Sequence, residues 1–515
     1  MAENVMPTDG AVPPRPSPGH GPMREEGLPE NPWPALWALV LGFFMILVDS
    51  TIVSIATPAL MGHFGAGINE VLWVTSAYLL AYAVPLLITG RLGDRVGPKR
   101  MYLLGLAVFT AASLWCGLTG TITGLIVARV VQGLGASMMT PQTMSVITRT
   151  FPPERRGSAM ALWGATAGVA TLVGPILGGV LIDGLGWEWI FFVNVPVGVL
   201  GLVLAWRLVP DLATHAHSFD WIGVALSALG LFCGVFALQE GSTFGWGTIA
   251  GPVSVPALLV TGGVLLVVFV WWQSRVRREP LVPLGLFRDR NFSLANIGVT
   301  TVGFAVTAMV FPFTIYAQTV RGLTPTGAAL LLAPQAVMSI LLARPAGKLV
   351  DHVHPRILAG LGILGWSLSL FWLSRLMVPG TPTWLILLNA VLLGASSSFV
   401  WGPLSTSASR NLPPALAGAG SGVYNTTRQI GSVLGSAAIA ALMQARIAAH
   451  LPAAGGGAAP HMGGGTIPAA VAGPFSDALA ESMLLPAGVL LVGWIAALFF
   501  ERPRHMRRSN APAAG

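Results

Sequence analysis

Apolar residues recur along the chain in runs of about 20, separated by short segments rich in charge, proline and glycine. As a helix, such a run crosses a hydrocarbon core about 30 Å thick and satisfies its own backbone polar groups. The pattern therefore predicts an all-α polytopic membrane protein with fourteen transmembrane helices. The predicted spans are 34–60, 70–90, 101–119, 121–147, 157–182, 187–209, 219–239, 253–274, 292–320, 325–347, 356–377, 383–405, 415–445 and 481–500.

The composition supports a membrane protein and excludes several other classes. The chain is 54% hydrophobic and 9% charged, whereas soluble domains contain about 25% charged residues. The basic residues lie in short clusters between apolar runs, so the net charge of +8 does not indicate nucleic-acid binding. Cys116 and Cys233 fall inside predicted spans, which gives no disulfide framework or metal-ligand spacing. Motifs for ATP binding and nucleophilic hydrolysis are missing, so we predict a protein that is not an enzyme and has no cofactor.

The basic residues also orient the spans, because cytoplasmic loops carry an excess of Lys and Arg. If the N-terminus is cytoplasmic, 22 of the 28 Lys and Arg residues lie on the inside. The even number of spans then predicts that both termini face the cytoplasm of a multi-pass protein in the cell (inner or plasma) membrane. The exceptions are three arginines in predicted outside segments and three within spans: Arg321, Arg375, Arg446, Arg129, Arg344 and Arg428.

Two cytoplasmic loops repeat one pattern half a chain apart. The segments "GRLGDRVGPKR" (90–100) and "GKLVDHVHPR" (347–356) share Gly, Leu, Asp, Val and Pro at a constant offset of 257 residues. Each follows the second helix of a six-helix set, which predicts two parallel bundles enclosing a midplane site, with chance similarity as the alternative. The predicted units are a disordered cytoplasmic tail, a six-helix bundle, a linking two-helix hairpin, a second six-helix bundle with a flexible external loop at 447–480, and a cytoplasmic tail: 1–33, 34–210, 211–285, 286–500 and 501–515.

Asp49 lies in the middle of the first apolar run, "WALVLGFFMILVDSTIVSIATPAL" (37–60). An ionised carboxylate at that depth costs on the order of a few kcal/mol and is a functional candidate by default. Arg129 in the fourth span is its natural partner, with Gln132 one helical turn onward on the same face. We predict that Asp49 lines a wet central chamber, and that Asp49, Arg129 and Gln132 couple proton binding to cargo release. The alternatives are a permanently paired structural acid, and an arginine that reaches the outer interface or pins two helices.

Several motifs together indicate a family. The loop at 90–100 resembles a motif A, "RVVQGLGASMMTP" (129–141) a motif B, and "GATAGVATLVGPILGG" (164–179) a motif C. These motifs resemble those of the major facilitator superfamily, in which motif C marks antiporters. The segments "LVDSTIVSIATPAL" (47–60) and "WVTSAYLLAY" (73–82) resemble its fourteen-span drug:proton antiporter branch of the EmrB/QacA type. The resemblance covers residues 34–500, implies the major facilitator fold with two extra central spans, and supports the same role for Arg129.

Motifs A and C predict a gate and a hinge. In motif A, Asp94 can accept hydrogen bonds from a helix N-terminus in the other bundle and so latch the cytoplasmic side, although simple topology signalling also explains the basic residues. The predicted gate residues are Gly90, Asp94, Arg95, Gly97, Arg100 and, in the second copy, Asp351. In motif C, glycines four residues apart give flat faces for helix contact, and a proline bends the span. These residues are Gly164, Gly168, Gly174, Pro175 and Gly178.

Polar and aromatic side chains in the spans are candidates for the cavity wall: Tyr78, Trp163, Tyr424, Asn425, Arg428 and Gln429. For the four on the thirteenth span, a structural network is an equally open alternative. Because Asp49 is the only acid placed deep in the membrane, the cargo is predicted to be lipophilic and neutral or monocationic.

The predicted function is proton-coupled export of lipophilic drugs or toxic metabolites by alternating access, driven by the proton motive force. A lipid or lipid-like metabolite exporter or flippase with lateral openings is the first alternative, and a non-transporting receptor or scaffold is the second. The predicted partners are the small-molecule cargo, protons and the lipid bilayer. We expect a monomer, with a periplasmic or lipoprotein accessory left open.

Overall fold

The computed structural model describes residues 31–151, 153–212, 214, 220–241, 243–276, 280–409, 417–451, 467 and 469–501. Nearly all of these residues are helical. A two-stranded antiparallel sheet, β1 (Thr248–Ala250) and β2 (Val253–Ser254), joins two of the helices. The predicted C-terminal tail beyond 501 and the predicted N-terminal tail up to 30 lie outside the described residues.

Among the described residues, nine helices form the first bundle, and three of its predicted spans are each built from two helices. The breaks coincide with Pro58, Pro85 and Pro196, because proline lacks the N–H that would continue the helical hydrogen bonds. The helices are α1 (Trp33–Ile55), α2 (Thr57–Phe64), α3 (Ile68–Ala83), α4 (Leu86–Val96), α5 (Pro98–Leu118), α6 (Ile122–Thr150), α7 (Pro153–Leu185), α8 (Trp189–Phe192) and α9 (Asn194–Leu208).

A helical hairpin follows, and then the second bundle. The hairpin consists of α10 (Trp221–Glu240) and α11 (Val255–Arg275), with β1 and β2 between them, and a short 3₁₀ helix over Leu284–Arg288 leads onward. The first helix of the second bundle ends in a π-helical turn over Tyr316–Val320. The helices of this bundle are α12 (Arg290–Ile315), α13 (Pro325–His352), α14 (Pro355–Leu376), α15 (Thr383–Ser409), α16 (Ala417–His450), α17 (Ala469–Ser482) and α18 (Leu484–Leu498).

The two bundles pack in the same way. In the first, α1 packs on α7 and α9, and α5 packs on α6 and α9. In the second, α12 packs on α16 and α18, and α14 packs on α15 and α18, which are the equivalent contacts. Between the bundles, α3 packs on α16 and α7 on α13, so the second span of each bundle meets the fifth span of the other. Parallel repeats around a common axis produce this arrangement.

Twelve helical stretches among the described residues are long and apolar enough to cross a membrane. The two predicted spans outside this set are 70–90, which is divided between α3 and α4, and 157–182, which lies within α7. We call the end of the molecule where α2 meets α3 the outer end, and the end where α4 meets α5 the inner end. These names follow the predicted topology.

The predicted external loop is shorter than expected. Residues Ala469–Ser482 form α17 instead of a flexible segment, because Phe475 and Leu479, four residues apart, are both fully buried. At the outer surface Glu481 of this helix lies 3.2 Å from Arg446 and 3.2 Å from His450 of α16. The Gly/Ala-rich stretch at 452–466 lies outside the described residues.

Candidate functional site

A charged cluster lies in the core of the first bundle. The carboxylate Oδ2 of Asp49 accepts a hydrogen bond from Arg129 Nη1 at 2.5 Å, and its Oδ1 accepts from Gln132 Nε2 at 2.9 Å. Asn194 Nδ2 donates to the same Oδ1 at 3.0 Å, and Arg129 Nη1 also donates to Gln132 Oε1 at 2.6 Å. Asp49, Arg129 and Gln132 are 0% exposed. The cluster is therefore a buried ion pair, and its members and their polar neighbours supply hydrogen bonds to one another.

Local helix geometry brings these side chains together. Arg129 and Gln132 are three residues apart on α6 and so share one face. Asn194 is the first residue of α9, and the break between α8 and α9 places its amide beside Asp49. Ser113 of α5 accepts a hydrogen bond from Asn194 at 3.1 Å and donates to Phe191 O at 2.9 Å. The first, fourth and sixth spans thus meet at one carboxylate, and Ser113 of the third span holds Asn194.

Arg129 also connects the cluster to the second span. Its Nε donates to the backbone carbonyl of Val74 on α3 at 3.1 Å. Its guanidinium lies 4.0 Å above the ring centre of Tyr78, one helical turn further along α3, in a cation–π contact. The third nitrogen, Nη2, is buried and has no hydrogen-bond partner among the described residues. Arg129 is thus held by α1 and α3 and keeps one spare donor.

The structure corrects one expectation about Asp49. The sequence predicted that this side chain lines a wet chamber, but the carboxylate is 0% exposed and closed off from water on all sides. The reason is that Arg129, Gln132 and Asn194 supply the hydrogen bonds that water would otherwise make. Asp49 is the one buried carboxylate among the described residues.

The described part of the second bundle has no such cluster. At the offset of 257 residues that relates the two repeats, Val306 of α12 corresponds to Asp49 and Ile386 of α15 corresponds to Arg129. Ile386 is 1% exposed, so an apolar contact replaces the guanidinium. The repeats share a fold, but the charged chemistry belongs to one of them.

Motif C places α7 directly against the Asp49 helix. A Cβ atom added at Gly174 would lie 2.0 Å from Thr51 Oγ1, and one added at Gly178 would lie 2.6 Å from Ile52 Cγ1. Only glycine leaves room for α7 to lie so close to α1. The contact occurs within one helical turn of Asp49 on α1. The helix runs through Pro175 without interruption. Gly164 and Gly168 belong to the same helix, but their surroundings lie outside the described part of the structure.

Contacts between the bundles close the outer end. The backbone N–H of Thr326, near the start of α13, donates to Asp183 Oδ2 at 3.1 Å. A Cβ atom added at Gly179 would lie 2.6 Å from Thr326 Cα, so α7 and α13 touch backbone to backbone. Gln318 Nε2 donates to the carbonyl of Ile55 at 3.0 Å, which links the second bundle to the end of α1. The motifs did not predict these contacts, since each of the three uses a backbone atom on at least one side.

The motif A residues lie at the inner end, where the structure describes them only in part. Gly97 has φ +107, a conformation that favours glycine, and it forms the turn between α4 and α5. Arg95 and Arg100 are exposed, and Gly90 packs toward Pro141 of α6. The side chains of Asp94 and Asp351 lie outside the described part of the structure, so the predicted latch remains a prediction.

The cavity candidates divide into buried and partly buried side chains. Tyr78 is 0% exposed beneath Arg129 and Gln429 is 4% exposed, so neither lines an open cavity, in contrast to the prediction. Trp163 stacks on Phe43 with ring centres 4.5 Å apart, and its buried Nε1 has no partner in the described part of the chain.

On α16, three of the predicted cavity residues are only partly buried. Tyr424, Asn425 and Arg428 keep an intermediate exposure in the inner half of the span. The hydroxyl of Tyr424 is buried and has no partner among the residues described. These residues therefore remain candidates for cargo contact, whereas Tyr78 belongs with the ion pair. Within the described ranges, no group of three or more His, Cys, Asp or Glu residues could hold a metal ion.

Sequence comparisons place the chain among transporters. A family model described as Major Facilitator Superfamily matches residues 39–436. Uncharacterized MFS-type transporter Rv1250 of Mycobacterium tuberculosis (strain ATCC 25618 / H37Rv) is 53% identical over 91% of this chain and 81% of that protein. The tetracenomycin C resistance and export protein of Streptomyces glaucescens is 34% identical over 82% and 77% of the two chains. Multidrug export protein EmrB of Haemophilus influenzae is 30% identical over 78% of each.

Solved structures agree on the fold. A bacterial homolog of the human lysosomal transporter Spinster, in an inward-facing and unoccupied conformation, superposes with a TM-score of 0.61 at 18% identity, covering 94% of this chain and 100% of that chain. A peptide transporter of the POT family in complex with a thioalcohol-conjugated peptide gives a TM-score of 0.63 at 14% identity, covering 89% and 95%. At these identities the likeness concerns the fold alone.

Proposed function

The chain belongs to the Major Facilitator Superfamily, and on this basis we propose that it is a proton-coupled antiporter exporting lipophilic drugs or toxic metabolites by alternating access. The family predicted from the sequence motifs is confirmed, and it is a family of transporters. The chain is accordingly a multi-pass protein of the plasma membrane. Relatives named for drug resistance and export support the proposed activity.

The proposed topology has fourteen spans and both termini in the cytoplasm. The twelve qualifying helices, together with α3–α4 and α7, supply fourteen crossings if every long helical segment spans the bilayer. In this proposal α10 and α11 are two extra spans between the bundles. Most residues of α11 are exposed, and 11% of its apolar stretch is buried. This exposure is expected for an apolar helix that is surrounded by lipid.

The observation that carries the proposed proton coupling is the buried pair of Asp49 and Arg129. Protonation of Asp49 removes its charge, and Arg129 then loses its strongest partner in a fully buried site. The same carboxylate is shared by α1, α6 and α9, and α7 touches α1 one turn away. We propose that protonation loosens these four spans against one another and that α7 transmits the change to the outer contact with α13.

Access to Asp49 then depends on the conformation. The outer end is closed through Asp183 and Thr326, and the carboxylate is sealed by its donors. We propose that a proton reaches Asp49 when these outer contacts separate, and leaves toward the inner end after they close. In this cycle Asp94 of motif A latches the inner end, as its position in the loop suggests. The proton motive force is the energy source, and no cofactor takes part.

The proposed cargo is a small lipophilic compound, carried by a monomer. The neutral or monocationic cargo expected from the sequence rested on Asp49 as a free acid, but in the structure Arg129 neutralises that acid. Asp49 therefore offers no attraction to a cation while the pair is intact. A periplasmic accessory protein or an accessory lipoprotein is an additional proposal.

Purified protein in proteoliposomes tests the proposed function. An imposed pH gradient should drive uphill movement of at least one member of a panel of anionic, neutral and cationic lipophilic dyes, and Asp49→Asn should abolish it. The matched control is Asp477→Asn, the same change at an exposed acid of α17. Movement of a labelled phospholipid in place of the dyes would favour the lipid exporter, and the absence of any cargo-dependent proton flux would favour a receptor or scaffold.

A further inference from the structure

Arg428 is a charged residue in the inner half of α16 that the proton-coupling cluster does not use. Helix α16 packs on α12 of its own bundle and on α3 of the other bundle, among other helices. Toward α12, a Cβ atom added at Gly431 would lie 2.1 Å from Thr300 O. Toward α3, Ser436 Oγ lies 2.5 Å from Ser76 Oγ. At 100° per residue, Arg428 lies between the directions of Gly431 and Ser436, at the edge of the face that packs on α12, and Tyr424 lies on that face beside Gly431.

No carboxylate neutralises Arg428 within the part of the chain that the structure describes. Its guanidinium interacts electrostatically with the hydroxyls of Tyr82 on α3 and Tyr424 on its own helix. By contrast, the fully buried arginine, Arg129, is paired with Asp49. A cation within a span without a counter-ion is costly, and such residues mark the path of a substrate or ion.

One neighbour of Arg428 is a hydrogen-bond donor with spare capacity. The hydroxyl of Tyr424, one helical turn before Arg428, is buried without a partner among the described residues. Buried hydroxyls are normally paired, so an unpaired hydroxyl beside an arginine indicates a group that arrives from outside the protein. Arginine and hydroxyl donors together recognise a carboxylate or sulfonate, because a guanidinium presents a planar fork to two oxygen atoms.

We propose that Arg428 binds an anionic group on the cargo, so that this transporter carries lipophilic compounds bearing one carboxylate or sulfonate. Tyr424 donates to the same group, and the apolar body of the cargo lies between the bundles. The proposal rests on the export function proposed above and replaces the neutral or monocationic cargo that the sequence suggested. A free cation at this point repels a monocationic cargo, and Asp49 is not available to attract one.

The same residues connect the cargo to the proton site. Tyr82 lies one turn from Tyr78 on α3, with ring centres 6.1 Å apart. The ring of Tyr78 lies 4.0 Å from the guanidinium of Arg129. Tyr82 is held in place by Thr140, whose hydroxyl lies 2.7 Å away. Binding at Arg428 thus acts on the helix that holds Arg129, and α3 is the element that both sites share.

Three probes that differ only in charge test the proposal: pyrenebutyrate, pyrenebutanol and pyrenebutyl-trimethylammonium. Their dissociation constants are measured by fluorescence with the full chain in nanodiscs of phosphatidylcholine. Wild-type protein should bind the carboxylate about tenfold more tightly than the alcohol, the lower end expected for a charged hydrogen bond. Arg428→Gln should abolish this preference while leaving the alcohol within about twofold, and Arg428→Lys should restore part of it.

Arg375→Gln is the matched control, because this arginine lies in the last turn of α14 at the outer end. It should leave all three constants unchanged. An equal affinity of wild-type protein for the three probes, or an unchanged preference in Arg428→Gln, would overturn the proposal. Thermal unfolding of each variant checks that it remains folded, and Tyr424→Phe gives a second, milder test, with a weaker preference expected.

Two further measurements distinguish a cargo site from a lipid site, and distinguish failure of the anion site from failure of the proposed function. Phosphatidylglycerol added to the bilayer should not displace pyrenebutyrate, and displacement that depends on Arg428 would assign the anion site to a lipid headgroup and overturn the cargo assignment. Binding and transport are measured separately. If the protein shows the charge preference but no proton-driven transport, the proposed function is refuted and the anion site stands. If it shows proton-driven transport without the charge preference, the anion site is refuted and the proposed function stands.

Discussion

Asp183 at the outer end of α7 accepts a hydrogen bond from the backbone N–H of Thr326, which lies in the first turn of α13 in the other bundle. A carboxylate at a helix N-terminus is stabilised by the partial positive charge of the unpaired N–H groups. Beside it, Gly179 allows the two backbones to touch. The outer closure therefore combines one charge with one position where a side chain cannot fit.

The contact between α7 and α13 at the outer end should open when the charge of Asp183 is removed or when a side chain is added at Gly179. We expect Asp183→Asn, added to a Gln318→Cys reporter that already lacks the contact with Ile55, to raise the labelling rate of that cysteine by about two- to fivefold, the equivalent of about 0.3–1 kcal/mol. Gly179→Val should raise it further, because the added carbons must separate the backbones. The measurement uses a membrane-impermeant maleimide and a background without Cys116 and Cys233. Gly184→Val is the control, since nothing lies within 4 Å of a Cβ added there, and labelling unchanged by Gly179→Val would contradict a closed outer end.

Asp49→Asn should uncouple transport from the proton gradient. The amide keeps the size of the side chain but cannot take up a proton, so uphill efflux should fall by about 100-fold or more, comparable to the loss of a group with a direct role in proton transfer. Exchange of labelled for unlabelled cargo without a gradient should persist. Dye fluxes in proteoliposomes measure both activities. Full uphill efflux by Asp49→Asn would show that another group carries the proton.

The buried pair should show strong thermodynamic coupling. Asp49→Ala or Arg129→Ala leaves one buried charge unpaired, and each should lower the free energy of unfolding by about 3–5 kcal/mol. The double variant should cost less than the sum, with a coupling energy of about 0.5–3 kcal/mol. Unfolding in mixed micelles provides the measurement. The exposed pair of Arg446 and Glu481 is the comparison, with a coupling of about 0–1 kcal/mol, and additive losses at the buried pair would argue against direct interaction.

Gly178 should tolerate no side chain. A Cβ atom there would lie 2.6 Å from Ile52 Cγ1 and 3.2 Å from the carbonyl oxygen of the same residue. Gly178→Val should therefore push α7 away from α1, with a loss of stability of about 1–3 kcal/mol and a clear loss of transport. Gly184→Val on the same helix should have neither effect. Transport and unfolding of the two variants are compared in parallel, and equal behaviour would indicate that the close contact has no role.

An anionic cargo makes the exchange strongly electrogenic. Export of a monoanion against one proton moves two charges per cycle, whereas a neutral cargo moves one charge and a monocation moves none. Cargo-dependent current across a solid-supported membrane should therefore be about twice as large per cargo molecule for pyrenebutyrate as for pyrenebutanol, if one proton moves per cycle. Arg428→Gln should lose the pyrenebutyrate current selectively. A current that is independent of cargo charge would contradict this stoichiometry.

Charged residues in apolar runs were the most informative part of the sequence. Asp49 and Arg129 stand out because few groups can neutralise a charge in a membrane core, and the structure places them in direct contact. Asn194 was missed because an uncharged amide inside "FFVNVPVG" leaves the hydropathy of the run intact. A buried asparagine beside a proline could have been found as a second signal.

Other features had no sequence signature. The contact of Asp183 with Thr326 uses a backbone N–H, which every residue except proline possesses. Tyr78 was expected at the cavity wall, but its ring supports Arg129, and the sequence does not distinguish a tyrosine that packs on a cation from one that meets cargo. The repeat itself was predictable from motif A, because the same loop occurs at a fixed offset.

The placement of the buried ion pair in a single bundle limits the concentration gradient that the transporter can build. With Val306 and Ile386 in the other repeat, the described core contains a single titratable acid, so one proton per turnover is the expected ratio. A total driving force of about 150 mV then supplies about 3.5 kcal/mol. For an uncharged compound this sustains an outside-to-inside gradient of about 300-fold, beyond which the pump stalls. Resistance conferred by such a pump would saturate at that gradient however much protein a cell makes.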